Sequence, residues 1–99
     1  MLHIVRHSPH NEPRLSSCLQ VLVEDQGLLL IEDAVYALLP GSEARQQLSQ
    51  LAPGIQLFAL EPDLLARGLA LDDLPAGVSS IDYQRMVDLC VSYDKVVSW

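Results

Sequence analysis

Apolar residues follow two rhythms along this chain. Leu2–Arg6 and Ile55–Leu60 are short apolar-rich runs of strand length, and Leu28–Ile31 is apolar without a break. An unbroken run of that length fits a strand buried on both faces, as in a parallel sheet between helices. Between the runs the spacing lengthens. Leu15, Cys18, Leu19, Leu22 and Val23 recur at helical intervals and predict one buried stripe. Pro13 suits the first turn of that helix, with Asn11 or Glu12 near its cap, and Gly27 closes the segment.

The remaining segments repeat the alternation. Ala34–Leu39 predicts one or two helical turns stopped by Pro40-Gly41, and Ser42 caps a helix running to about Leu51. Pro53-Gly54 breaks it before the strand Ile55–Leu60. Glu61-Pro62 opens a short helix on which Asp63 and Arg67, four apart, can pair, and Gly68 ends it. A loop over Ala70–Gly77 leads to a fourth strand, Val78–Ile81. Asp82 caps a helix to about Tyr93, and Lys95–Trp99 forms a last strand. The order predicts a single α/β domain over residues 1–99, a small three-layer α/β/α arrangement around a largely parallel five-stranded sheet.

Composition changes this picture in one respect. The chain is 49% hydrophobic over only 99 residues, so apolar surface is left over for a partner to cover. Charge narrows the partner. With six Lys and Arg against 13 Asp and Glu, the net charge is −7, which argues against direct contact with nucleic acid or an anionic membrane. No apolar run approaches the length of a spanning helix, and polar residues by Arg6 interrupt any signal-peptide pattern. The expected location is cytoplasmic. There Cys18 and Cys90 stay reduced, and neither lies in a C-x-x-C pair.

Candidate chemistry is sparse. His3, His7 and His10 crowd the first strand and its exit loop, but His3 and His7 stand roughly 13 Å apart on an extended strand, too far for one metal. The loop His7–Pro13 holds no glycine, and no phosphate-binding fingerprint occurs, so neither a metal nor a cofactor is expected. Glu32, Asp33, Asp63, Asp72 and Asp73 define no acid/base dyad, and no nucleophile elbow is present. Cys18 has two readings. It is either a thiolate that handles sulfur or a small apolar residue of the Leu15–Cys18–Leu22 stripe, and the stripe argues for a buried thiol. Cys90, sharing a helical face with Met86 and Val87, is expected in the core.

Five ordered blocks carry a resemblance. They are Met1-Leu2-His3 with Ser8-Pro9; Glu32-Asp33-Ala34-Val35-Tyr36-Ala37; Leu60 with Asp63-Leu64 and Ala66-Arg67-Gly68; Ile81-Asp82-Tyr83 with Val87 and Leu89; and Trp99. Together they resemble the TusB/DsrH family of sulfur-relay subunits across essentially the whole chain. The resemblance implies a small α/β fold shared with TusC/DsrF-like and TusD/DsrE-like subunits, assembled with them as a heterohexamer holding two copies of each. It implies a relay in which persulfide sulfur passes from a TusA-like donor to a TusE-like acceptor. That sulfur ends in 2-thiouridine at the tRNA wobble position through the thiouridylase MnmA. The resemblance further implies that the transferring cysteine belongs to the TusD-like subunit and that the TusB-like subunit is chiefly structural.

Two alternatives accompany it: a sulfurtransferase carrying persulfide on Cys18, and a DsrH-like subunit of a DsrEFH complex working with DsrC in sulfur oxidation. Cys18 matches a cysteine of DsrH-like and some TusB-like members, so it does not separate the branches. Many relatives read Asp-Gly where this chain reads Asp33-Ala34, which would matter if that turn required a positive φ. The basic pairs of relatives differ from Arg6-His7. The opening MLHIVRHSPH is therefore expected to be a strand and its exit loop, at a sheet edge that faces a partner.

Overall fold

The computed structural model describes residues 1–99. Strands β1 (Leu2–Val5), β2 (Gly27–Leu30), β3 (Gln56–Leu60), β4 (Val78–Ile81) and β5 (Val96–Ser98) form one sheet. Their order is β4-β3-β2-β1-β5 and every pair is parallel. Helices α1 (Arg14–Val21), α2 (Glu43–Ser49), α3 (Glu61–Ala66) and α4 (Tyr83–Ser92) connect them. The Ala34–Leu39 segment appears as a 3-10 helix over Glu32–Leu38, and a second short one lies at Leu71–Asp73 inside the predicted loop. The expected elements are present, with ends shifted by one or a few residues.

Side chains alternate across the strands and sort into two cores. Val5, Leu28, Leu30 and Ala59 face α1, α2, α3 and the longer 3-10 helix, from which Leu15, Cys18, Val35, Leu38, Leu48 and Leu64 enter the larger core. Leu2, Leu29, Phe58, Leu60 and Ile81 face the other way and meet Leu89 of α4 in the smaller one. All four residues of β2 are buried, as its unbroken apolar run requires. The three layers are therefore uneven: one face of the sheet is thickly covered, and the other carries α4 alone.

Local caps follow the sequence signals. Ser42 Oγ accepts from the Arg45 N–H at 3.1 Å, and Asp82 Oδ1 from the Arg85 N–H at 2.8 Å. Pro13 is the N-cap of α1 rather than a residue of its first turn, and no side chain caps that helix. Arg45 Nη1 donates to the carbonyls of Leu38 (3.0 Å) and Asp73 (2.7 Å), tying α2 to the ends of both 3-10 helices.

Gly27 opens β2 instead of merely closing the preceding segment. A Cβ there would lie 2.6 Å from Tyr93 Oη, so the strand begins with glycine because the tyrosine at the end of α4 lies across it. Cys90 also departs from expectation. It is only partly buried beside the smaller core, because it sits at the flank of α4 rather than on its sheet-facing line.

Candidate functional site

Open parallel sheets hold ligands outside the carboxyl ends of their strands, where adjacent connections leave toward opposite faces. Here β3 continues into α3 on the larger core and β4 into α4 on the smaller one. The switch point therefore lies between Leu60-Glu61 and Ile81-Asp82. It presents Glu61, Asp82 and Tyr83, with no thiol and no glycine-rich turn.

Next to it stands a charged cluster at the ends of β2 and β3. Glu32 has φ +50, a left-handed backbone that costs a non-glycine residue about 1 kcal/mol or more. Its N–H donates to Asp63 Oδ2 at 2.7 Å. Arg67 Nε donates to Asp33 Oδ1 at 2.9 Å, and its Nη1 lies 3.6 Å from Asp63 Oδ1. The expected Asp63–Arg67 pair thus forms and gains Asp33 across the turn. The hydrogen bond that Asp33 accepts, ahead of its charge, strengthens the hold on the guanidinium proton. Ala34 is buried with an ordinary φ, so the Asp33-Ala34 sequence is accommodated because the positive φ falls at Glu32 instead.

Three histidines that adjoin in sequence part company in space. His3 is 3% exposed; its Nε2 lies 3.0 Å from Gln26 Oε1 and its Nδ1 accepts from Trp99 Nε1 at 3.1 Å. His7 Nδ1 lies 3.8 Å from Glu12 Oε1, which belongs to a carboxylate already bound by Arg14 Nε at 2.6 Å. His10 lines an open, polar cleft of about 400 Å³ between the β1 exit loop and α2, together with Glu12, Ser16, Glu43 and Gln47. Buried Ser8 holds the loop, its hydroxyl accepting from the His10 N–H at 3.2 Å. The exit loop of β1 is thus a firm wall beside α2 and gathers no shared centre.

Cys18 lies far from this edge in character. It is 0% exposed in the larger core, and burial pushes its thiol up to about 12. A thiol so held is almost wholly protonated at neutral pH and cannot act as a nucleophile without exposure. Sequence reasoning missed the roles of Gln26 and Tyr93, whose partners lie on distant strands. It also missed the left-handed Glu32, because the signal for a positive φ in this turn pointed to Ala34, two residues on.

Fold and site together define a small open α/β domain, with a bare acidic switch point and a thiol sealed in its core. Comparisons narrow the class. Residues 7–96 match the family model described as DsrH like protein. The chain is 33% identical over 99 residues to Protein TusB of Pectobacterium parmentieri and 34% identical to Protein TusB of Yersinia pestis (strain Pestoides F), each alignment covering all of both chains. The chain belongs to the DsrH/TusB family. Among solved structures, the ychN protein of E. coli superposes with a TM-score of 0.82 at 24% identity, covering 99% of this chain and 97% of that one. The MTH1491 protein of Methanobacterium thermoautotrophicum gives 0.75 at 20% identity, covering 99% and 96%. These two likenesses bear on the fold.

Proposed function

We propose that this chain is the non-catalytic subunit of a TusBCD-like sulfur-relay complex, whose sulfur is destined for 2-thiouridine at the tRNA wobble position. Family membership supports a sulfur-relay role. The observation that carries the non-catalytic part is the position of Cys18, sealed in the larger core and held protonated, while the switch point offers only Glu61, Asp82 and Tyr83. Sulfur transfer needs an accessible thiolate, and Cys18 lacks both the access and the charge. TusC/DsrF-like and TusD/DsrE-like subunits are the partners in a heterohexamer, with a TusA-like donor and a TusE/DsrC-like acceptor reached through the complex. Net charge −7 fits a protein that meets tRNA only through others. No helix is long and apolar enough to cross a membrane, which accords with work in the cytoplasm.

The test is thiolated tRNA content in cells lacking this chain and in cells carrying only Cys18→Ala. The reading expects loss of 2-thiouridine without the chain and restoration by the variant. Unchanged thiolation without the chain would sink the relay role. A variant that assembles normally yet restores nothing, together with persulfide on Cys18 of the unmutated protein by mass spectrometry, would make the chain a sulfurtransferase.

A further inference from the structure

The sheet is too wide for the one helix on its thinner side. Five strands about 4.8 Å apart span about 19 Å, while a helix is about 10 to 12 Å across. Helix α4 therefore leaves room beside it for one more helix. The free side can be located. Arg85, Leu89, Ser92 and Tyr93 on one flank of α4 line a cleft with Asp25, Gly54 and Gln56, at the starts of β2 and β3. The opposite flank looks toward β1 and β5. There Ile4 and Ile31 are only partly buried against the smaller core, and Val96 is exposed.

That flank of α4 is apolar where a solvated helix would be polar. Tyr83, Val87 and Val91 recur every four residues and are 56%, 53% and 80% exposed. Partly buried Cys90 joins this stripe to the sheet. A four-spaced apolar row beside a bare sheet face is the receiving half of a helix-in-groove contact.

Charges around the groove choose the occupant. Gln84 and Asp88 edge the outer side of the stripe, and Gln84 Nε2 donates to Asp88 Oδ1 at 3.2 Å. Arg6 stands at the opposite edge, its Nη2 donating to Ser98 Oγ at 3.1 Å. A second copy of this chain is a poor fit. Two antiparallel α4 helices meeting on Val87 would bring Asp88 against Asp88 between bodies that each carry −7.

We infer that the α4 stripe and the adjoining β1–β5 face receive an amphipathic helix of a different protein chain, one with a basic residue on the edge that meets Asp88. This rests on the heteromeric reading above and adds which surface is used and what chemistry the partner presents. The occupant lies beside α4 with its apolar face on Tyr83, Val87 and Ile4.

The test uses the full chain co-expressed with its TusC-like and TusD-like sister subunits. In the unmutated complex, amides of residues 83–91 should exchange more slowly than in the isolated chain. Val87→Asp and Val91→Asp should leave the melting of the isolated chain unchanged and weaken assembly at least about tenfold. Val21→Asp, an equally exposed valine on α1 across the sheet, should assemble normally. Asp88→Lys should weaken assembly more than Asp88→Asn. If the unmutated chain assembles but 83–91 stay unprotected, or both α4 variants assemble as tightly as it does, the surface is wrong while the complex stands. If the unmutated chain binds neither sister, the heteromeric reading fails and this inference falls with it. Self-association of the pure chain that Val87→Asp abolishes would overturn the choice of a different chain as occupant.

Discussion

The indole Nε1 of Trp99 donates to Nδ1 of His3 across 3.1 Å, joining residues 96 positions apart. Indole nitrogen can only donate, so Nδ1 must be the accepting nitrogen and Nε2 carries the proton given to Gln26 Oε1. The tautomer of a buried histidine is thereby set from both sides. The two rings also pack, with centroids 6.1 Å apart.

This pair gives a first prediction. Trp99→Ala should lower stability by about 3 kcal/mol, through lost packing against the larger core and an unpartnered buried Nδ1. Trp99→Phe keeps a ring but removes the donor, and should cost about 1 to 2 kcal/mol. Denaturant unfolding of the two variants separates the contributions. Equal stability in all three proteins would mean that the ring and its hydrogen bond hold nothing.

Cys18 gives a second. Alkylation in the folded protein should be negligible at pH 8 and should become fast only on unfolding, read by mass spectrometry after a timed pulse. Its folded pKa of about 12 lies above the unfolded 9.0. The unfolded chain therefore sheds its proton first, and the thiol's contribution is complete below pH 9 and disappears as pH rises from 9 toward 12. Cys18→Ala should cost about 1 kcal/mol at pH 7 for the lost contacts, and less at alkaline pH. Fast labelling of the native protein at pH 8 would contradict the buried placement.

A third concerns Gly27 and Tyr93. Tyr93 Oη donates to Gln56 Oε1 at 2.5 Å while lying over the backbone of Gly27. Gly27→Ala should displace the ring, break that hydrogen bond and cost about 1 to 3 kcal/mol. Tyr93→Phe, combined with Gly27→Ala, should cost less than the sum of the two singles, because the displaced hydroxyl is already gone. Strictly additive losses would place the clash elsewhere.

The fourth lies at Glu32. Glu32→Gly relieves the left-handed φ, partly offset by the freedom glycine regains when unfolded, for a net gain of about 0.5 kcal/mol. Asp63→Asn keeps an acceptor for the Glu32 N–H and should cost little. Asp63→Ala removes it and should cost about 1 to 2 kcal/mol. A melt in which the Asn and Ala variants fall equally would assign the effect to the Arg67 ion pair instead.

Much of the fold was legible because its signals are local. Leu28–Leu30 reads as a doubly buried strand, Leu15 and Cys18 mark the inward face of α1, and Ser42 and Asp82 announce their helices. The limits are equally specific. Val23 fits the helical spacing of the α1 stripe but lies beyond the helix end and is exposed. The placement of β5 beside β1 depends on which face α4 crosses, and no residue encodes that locally. The same holds for the site. Asp63 and Arg67 are neighbours on one helix and were readable as a pair, whereas Asp33 and the Glu32 N–H reach them only through the juxtaposition of β2 and β3.

The pairing of β5 with β1 also sets a timetable. At the ribosome's pace of about 5 to 20 residues per second, roughly 5 to 20 s separate the making of β1 from that of its outer neighbour. Helices and local turns close in microseconds, so for that interval the nascent sheet waits with Leu2–Val5 unpaired on one edge. Helix α4 is made just before β5 and must cross the sheet to deliver it. Closure of the sheet and arrival of the Tyr83–Val87–Val91 row are therefore one late event. Until then the α4 side of the sheet is bare, and its exposed valine row exists only once the last strand is in place.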